Sequence, residues 1–249
     1  MSIEVGVAQH PRRSFADLHC HSSVSFDSLA DPRKMMAKAV RLGLTHLAIT
    51  DHERIDGAQA AVELAPPGLQ LIVGEEVKSR DGDILGLFLT EVVAPGMSAT
   101  ETAAAIREQG GLVGLPHPFD GFRNSGGSKA NEAEQKLEEL AGIVDYVEVH
   151  NARAYRDANP MAGAFAERHG LPGTASSDAH SITELGVATT VLPGPFGTAE
   201  ELRALLPQAE IVPGRASYYV RLKTPLNKLV NRLRGNRRIR PETAGEVAS

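Results

Sequence analysis

Two short segments of this sequence place histidines and carboxylates two residues apart. One runs from Asp17 to His21 and reads Asp-Leu-His-Cys-His, and the other, at residues 178–180, reads Asp-Ala-His. In an extended strand, residues i and i+2 project from the same face. His19 and His21 at this spacing can reach one metal ion, and Asp17 beside them either ligates that ion or fixes a ring tautomer. The alternative is two partly exposed histidines that merely share a strand.

Further residues of the metal-ligand type follow other predicted strands. The complete set has five imidazoles and four carboxylates: His19, His21, Asp27, His52, Glu76, Asp83, His117, Asp178 and His180. These donors exceed the four that one Zn²⁺ normally takes, so two or three divalent ions bridged by a carboxylate are expected. Without metal, the carboxylates would repel one another and some would bind protons. A mixed N/O set without thiolate suits Zn²⁺, Mn²⁺ or Fe²⁺ and does not choose between them.

The elements that must position these residues are short strands alternating with helices of about ten residues. Strands are predicted near 15–21, 47–49, 69–73, 84–89, 112–115, 144–149, 173–176, 187–192 and 211, and helices near 32–43, 57–64, 100–109, 132–140, 158–168 and 200–206. The turn at 80–82 makes the third and fourth strands a hairpin. The alternation otherwise predicts a parallel sheet, open or closed into a barrel. The ligand-type residues fall at the carboxyl ends of the strands, where such folds place their sites.

Composition narrows the class of protein. The chain has 249 residues, 42% of them hydrophobic, and a net charge of -5, which gives no general case for nucleic-acid binding. One cysteine excludes an internal disulfide and fits a reducing compartment. No apolar run approaches the length of a membrane span, so we expect a cytoplasmic protein without membrane insertion. We expect a flexible N-terminus at 1–14, a barrel domain at 15–219 and a basic, helical C-terminal tail at 220–249.

Five motifs in sequence resemble the polymerase and histidinol phosphatase (PHP) family. They are Asp17-Leu-His-Cys-His21, Thr50-Asp-His52, Gly74-Glu-Glu76, Pro116-His-Pro118 and Ser177-Asp-Ala-His180. The resemblance covers roughly residues 16–190. It implies an α/β fold, a distorted seven-stranded (β/α) barrel, with a trinuclear metal site that hydrolyses phosphoesters.

The resemblance also implies a role for each donor. His19, His21, Glu76 and Asp178 would hold the first ion; Glu76 and His117 the second; and Asp27, His52 and His180 the third. Many family members have histidine at the position of Asp83, so either Asp83 or, less favoured, His150 completes the second ion's shell. Glu75 would point away from the pocket, toward solvent. Glu76, Asp178 and His180 are assigned to catalysis.

The implied activity is that of a metal-dependent phosphoesterase acting on a small phosphate monoester or nucleotide. A nucleoside bisphosphate or short 5′-phosphorylated RNA is the expected substrate, cleaved by a metal-bridging hydroxide that attacks phosphorus. Arg123 and Arg153 are expected to bind a second phosphate or a carboxylate, with His150 and Asn151 as further substrate contacts. Two alternatives stay open: a non-catalytic metal-binding module that acts through the basic tail, and a hydrolase of C–N or C–O bonds.

Three further features are interpreted structurally. His46 is expected to be a structural or surface residue, and Cys20 to lie in the core. The tail has Leu226, Leu229, Val230 and Leu233 at helical spacing between basic residues. It is interpreted as a helix docked on the barrel with its charges in solvent. A contact with nucleic acid or an anionic membrane is the alternative.

Overall fold

A computed structural model describes residues 13–120, 128–155, 157–221 and 223–239. Its strands are β1 (Ser14–Asp17), β2 (His46–Ile49), β3 (Gln70–Lys78), β4 (Asp83–Leu87), β5 (Leu112–Leu115), β6 (Tyr146–Asn151), β7 (Gly173–Ser176), β8 (Thr189–Leu192) and β9 (Glu210–Val212). The helices are α1 (Pro32–Leu42), α2 (Asp56–Val62), α3 (Ala99–Glu108), α4 (Ser128–Ala141), α5 (Ala158–His169), α6 (Ala199–Leu205), α7 (Tyr218–Arg221) and α8 (Lys223–Leu233). Arg123 and most of the expected flexible N-terminus lie outside the described residues.

Within the described residues the strands form one mixed sheet in the order β7-β6-β5-β4-β3-β2-β1-β8-β9. The pairs β1–β2, β2–β3, β5–β6 and β6–β7 are parallel, whereas β4 is antiparallel to both neighbours. The hairpin predicted around residues 80–82 accounts for this reversal, because a connection this short joins only antiparallel strands. β8 and β9 are also antiparallel, so the sheet is less uniformly parallel than the alternation of elements predicts.

The two ends of the β1–β7 series meet just beyond the strands. Cys20 pairs with Ala179 in a parallel bridge, the His21 N–H donates to Ala179 O (2.8 Å), and the Asp178 N–H donates to His19 O (2.9 Å). These contacts curl the sheet into a nearly closed barrel, as the predicted fold class requires. They also place the first and last ligand motifs of the sequence side by side.

The helices α1, α2, α3, α5 and α6 bury apolar residues against the barrel. α1 shows how the sequence specifies one of them: the side chain of Asp31 accepts a hydrogen bond from the Lys34 N–H (3.1 Å), Pro32 begins the helix, and Gly43 ends it at φ 77°. The helix buries Met35 and other apolar residues against the strands. Burial of this kind fixes the strand ends that carry the ligand motifs.

The C-terminal helix α8 docks through a polar face. Asn227 and Asn231 are its buried residues, whereas Leu226, Leu229 and Leu233 are 58%, 54% and 80% exposed. The apolar spacing therefore does not mark the docking face. The amide side chains are buried instead because they donate to backbone carbonyls of the loop 22–28.

Candidate metal centre

Three groups of donor atoms meet where the strands end. Within each group the ligand atoms lie within 4.8 Å of one another: His19, His21 and Glu76; Glu76, Asp83 and His117; and His21, Asp27, His52 and His180. Glu76 and His21 each belong to two groups. The structure thus brings eight of the nine expected ligands together in three adjacent groups, and Asp178 borders the first of them.

The first group lies between the segments that close the barrel. His21 Nε2 is 3.1 Å from His19 Nε2, 3.3 Å from Glu76 Oε2 and 3.3 Å from Asp178 Oδ1. Asp178 has a φ of 51°, and so does not continue the extended backbone of β7. A non-glycine residue seldom adopts this conformation, which is costly and concentrates at functional sites. Here it turns the Asp178 carboxylate toward the two histidines.

The second group contains Glu76 together with Asp83 and His117. Glu76 Oε1 is 3.1 Å from His117 Nε2, while the other oxygen, Oε2, faces His21 and lies 3.3 Å from His52 Nδ1. Its two oxygens therefore face different groups, as a bridging carboxylate requires. Asp83 joins this group and pairs with Lys78 Nζ at 3.0 Å.

His150, the rival of Asp83, lies elsewhere. Its Nε2 is 2.8 Å from Gly214 O, and its other ring nitrogen is 3.3 Å from the amide of Asn159. His150 is absent from the three donor groups formed by the described residues. The structure therefore brings Asp83, and not His150, to the second group. The expected role of His150 as a substrate contact stays a prediction.

The third group surrounds Asp27. Asp27 Oδ2 is 3.3 Å from His52 Nε2 and 3.2 Å from His180 Nε2, while Ser25 Oγ donates to the other oxygen of Asp27 (2.7 Å). The Ser28 hydroxyl donates to His21 O (2.8 Å) and ties the loop to the first motif. These hydrogen bonds fix Asp27 although it lies in an irregular loop.

The charges of these groups are strongly coupled. Burial alone would lower the pKa of His52 and His117, but Glu76 and, for His52, Asp27 raise them to about 9 and about 10. Burial and the nearby His180 lower the pKa of His21 to about 3. Burial opposes ionisation of Asp178, yet the adjacent histidines hold the pKa of its carboxyl below the usual range. Protons on histidines thus neutralise the carboxylates, a role that divalent cations take over when they displace those protons.

The residues fit divalent metal ions. His and carboxylate donors without thiolate suit Zn²⁺, Mn²⁺ or Fe²⁺. His21 Nδ1 is buried without a hydrogen-bond partner among the residues described, a costly state for a polar atom. A neutral imidazole with its lone pair in such a cluster is a ready ligand.

Comparison with known proteins identifies the family of this chain. The PHP domain model matches residues 17–110, and the PHP-associated model matches residues 156–210. The chain is 35% identical over 173 residues to the uncharacterized protein MJ0417 of Methanocaldococcus jannaschii, covering 69% of this chain and 68% of that protein. The chain belongs to the PHP family.

One further relative and one solved structure extend the comparison. A 5′-3′ exoribonuclease of Haemophilus influenzae is 29% identical over 120 residues, 43% of each chain. A two-domain protein from Bacteroides vulgatus, which contains a predicted PHP-like metal-dependent phosphoesterase, superposes with a TM-score of 0.67 at 20% identity. The superposition covers 83% of this chain and 66% of that one and shows the shared fold.

Glu148 contacts two candidate ligands and was not identified in the sequence analysis. It is buried on β6, with Oε1 3.1 Å from His19 Nδ1 and Oε2 accepting from the His117 N–H (2.9 Å). A carboxylate behind a ligating histidine fixes its tautomer and raises its basicity. The signal available was one acidic residue inside an otherwise apolar strand, Tyr146–Val149.

Asn151 links two carboxylates beneath the centre. Its buried amide donates to Glu148 Oε2 (2.9 Å) and to Asp178 Oδ2 (3.2 Å). Its Oδ1 accepts from the Arg153 N–H (2.8 Å). Asn151 therefore positions both acidic groups and the backbone of Arg153, and its expected contact with substrate stays a prediction.

Asp17 has a structural role, and neither expected role in the metal site is seen. The regular strand β1 ends at Asp17, so the alternation of side chains does not carry it to the face of His19 and His21. Its carboxylate accepts from the Ser177 N–H (3.0 Å), the Ser177 hydroxyl (2.5 Å) and the Gly186 N–H (2.9 Å). Asp17 thereby secures the segment that carries Asp178.

Glu75 points away from the cluster, as expected, but it is fully buried and not in solvent. Its Oε2 accepts from the Val93 N–H (2.8 Å), and burial raises the pKa of the carboxyl to about 8. Cys20 and His46 are both buried, and the His46 ring stacks on Phe196 with its Nε2 2.9 Å from Phe196 O. Neither belongs to the donor groups.

A cleft of about 360 Å³ opens onto the donor groups. Arg153 lines it, paired with Glu184 through Nη1 (2.6 Å) and donating to Thr224 Oγ1 through Nη2 (2.8 Å). Lys228 and Arg238 of the C-terminal segment also line it. These two basic residues of the tail therefore border the cleft, whereas Arg232, Arg234 and Arg237 are exposed, as expected.

Across the described ranges, no helix is long and apolar enough to cross a bilayer.

Proposed function

We propose that this PHP-family chain is a metal-dependent phosphoesterase that hydrolyses a small phosphate monoester or nucleotide. One observation carries the proposal: the donors form three adjacent groups joined through Glu76 and His21. Ions at such spacing would polarise phosphoryl oxygens and lower the pKa of water. A site for one structural metal ion would need only four protein ligands and no carboxylate shared between ions.

Three residues of the chain would have distinct roles around the bound phosphate. Glu76 would join two ions because its oxygens face different donor groups. Asp178 would hold the first ion and is itself held by Asn151. His180 lines the cleft and is 3.2 Å from Asp27 Oδ2, so it would serve as a ligand or donate a proton to the leaving alkoxide.

Substrate size follows from the cleft. Its volume is at the lower end of the range typical of small-molecule pockets. Arg153 would place a positive guanidinium beside the phosphate, held in position by Glu184 and Thr224. A nucleoside bisphosphate or the 5′ end of a short RNA fits these features, and the similarity to a 5′-3′ exoribonuclease is consistent with the second of these.

The test combines metal analysis with phosphate release from nucleoside bisphosphates, short 5′-phosphorylated RNA and histidinol phosphate. We expect two or three ions per chain and release that is lost in His19→Ala and Asp178→Ala. His169→Ala is the matched control, because His169 pairs with Glu138 on the surface, away from the donor groups. Metal-loaded protein that releases no phosphate from any of these compounds would refute the proposal and favour a non-catalytic metal-binding module.

A further inference from the structure

The C-terminal helix α8 carries an uncovered apolar surface, the leucine face, formed by Leu226, Leu229 and Leu233. The three residues recur at intervals of three and four, so they share one side of the helix. Each is more than half exposed, whereas another side of the helix buries Asn227 and Asn231. A surface helix normally turns its leucines toward the core. An exposed apolar face that is bordered by polar residues marks an interaction site.

Cations border the leucine face on both sides. At about 100° per residue, Lys223 and Arg234 lie along one border of the face and Arg232 along the other. All three are exposed. Residues 220–239 contain seven Lys and Arg and no Asp or Glu, and among the described residues the ion pairs of this segment are those of Arg238. The charges beside the leucines are therefore available to an anionic partner.

The combination of leucines and flanking cations favours a lipid surface as that partner. Two leucine faces of separate copies would pack only by bringing their rows of cations together, and like charges across an interface repel. Nucleic acid would use the cations, but its bases stack on aromatic side chains and gain little from leucines. An anionic bilayer uses both, because the leucines enter the boundary of headgroups and acyl chains while the cations meet the headgroups.

The distribution of charge along the chain suits the same partner. Residues 220–249 hold eight basic and two acidic residues, although the whole chain has a net charge of -5. The basic segment would face an anionic surface and the acidic barrel would face away from it, where salt screens the repulsion. At 11 residues, α8 is about 16 Å long, so it would lie along the surface without crossing it.

The leucine face is rigidly attached to the barrel. Asn231 Nδ2 donates to Ser28 O (2.8 Å) and to Ser25 O (3.1 Å), and Asn227 Nδ2 donates to Asp27 O (3.3 Å). These bonds use the amide side of α8 and leave the leucines free. The helix can therefore dock on a surface without leaving the barrel.

We propose that α8 binds the surface of an anionic membrane through its leucine face, with Lys223, Arg232 and Arg234 on the lipid headgroups. The inference does not depend on the proposed function. Lys228 of the same helix lines the cleft, so docking through α8 would hold the cleft near the lipid surface.

The first test is cosedimentation with vesicles of phosphatidylcholine and phosphatidylserine at about 2:1, against phosphatidylcholine alone. We expect binding to the anionic vesicles that weakens with added salt. Leu229→Ser and Leu233→Ser should each lower the partition coefficient about 10-fold, from lost apolar burial. Arg232→Gln should lower it about fivefold, from one lost charge near the surface. Leu64→Ser is the matched control, because Leu64 is similarly exposed (51%) but lies outside α8, and it should bind as the wild type does.

The second test uses the absence of tryptophan from the sequence. In Leu233→Trp the emission reports on this one position of the leucine face. We expect the emission of an exposed indole for the protein alone, a blue shift with the anionic vesicles, and quenching by brominated acyl chains. A blue shift already present without vesicles would mean that protein covers the face, and would overturn the proposal.

Other results would identify a different partner. Equal binding to both kinds of vesicle, or equal losses in Leu229→Ser and Leu64→Ser, would refute docking of the leucine face on anionic lipid. A dimer that Leu229→Ser dissociates, without binding to vesicles, would assign the face to a second copy of the chain. Binding to single-stranded RNA that Leu229→Ser leaves unchanged, without binding to vesicles, would assign the cations to nucleic acid. Either result would overturn the proposal, whether or not the protein releases phosphate from any ester.

Discussion

Replacing Glu148 with glutamine changes one atom and removes one charge beneath the metal centre. The Glu148 carboxylate faces three N–H groups: the ring of His19, the backbone of His117 and the amide of Asn151. A carboxylate accepts from all three, whereas a glutamine offers one acceptor oxygen and one NH₂ donor. Glu148→Gln therefore cannot satisfy the partners that the wild-type residue does.

Either orientation of the new amide weakens the first ion. With its NH₂ toward His19, the imidazole must move its proton to Nε2, the nitrogen that faces His21 and would bind metal. With its NH₂ on the other side, it opposes the N–H groups of His117 and Asn151, and an unpaired buried group costs about 1–3 kcal/mol. Loss of such a partner typically lowers metal affinity about 10–100-fold, or about 1.4–2.8 kcal/mol.

The assay is a titration of metal-free protein with Mn²⁺ or Zn²⁺ in competition with a chelator, with elemental analysis of the loaded protein. Glu75→Gln is the matched control, since Glu75 is equally buried but contacts Val93 and no histidine of the centre. We expect weaker binding of one ion in Glu148→Gln only. An affinity within twofold of the wild type, or an equal loss in both variants, would refute an orienting role for Glu148.

Three further changes test the fold around the site. A Cβ at Gly114 would overlap the ring of buried Tyr146, so we expect Gly114→Ala to lower the unfolding free energy by about 1–3 kcal/mol in urea; an unchanged midpoint would contradict this packing. Burial lowers the pKa of His46, so the unfolded chain gains a proton that the native state does not, and stability falls as pH drops below about 6.5. In His46→Gln the loss between pH 7.5 and 5.5 should be smaller by up to about 1 kcal/mol, and an identical loss would exclude this contribution. Asn231→Ala should expose the C-terminal segment to protease, whereas Leu229→Ala, on the exposed face, should not; the reverse order would show that the leucine face docks.

The parts of the site that the sequence predicted are those set by local rules. A histidine at the end of a strand lies at the carboxyl edge of a barrel whatever the details of packing, which brought His52 and His117 together. Glu76 reaches them from within β3, which continues to Lys78, beyond the end predicted for that strand. The turn at residues 80–82 likewise fixed the β3–β4 hairpin. The sequence alone could not decide between Asp83 and His150 as a ligand, because each lies at or near the end of a strand. The structure distinguishes them through contacts with residues distant in the chain.

The errors share a physical cause, which is long-range hydrogen bonding. Asp17 was expected at the metal because its neighbours alternate, but β1 ends there and the backbone of Ser177 captures its carboxylate. Glu148 was overlooked because its partners, His19 and His117, come from other strands. The tail was read from its leucines, whereas buried amides dock it. Patterns of polarity along one element do not reveal polar partners on another.

The junction between the first and last motifs also bears on how the protein folds. Asp17 and Ser177 are 160 residues apart in the chain, and the contacts between their segments close the barrel. Contacts of such separation form late, because the intervening chain must first lose much of its conformational freedom. A growing polypeptide thus cannot assemble the donor groups before the segment at 177–180 has been synthesised and has joined the first strand. Ions bound to both motifs would then stabilise this junction. Their removal should loosen the β1–β7 junction before any other part of the barrel.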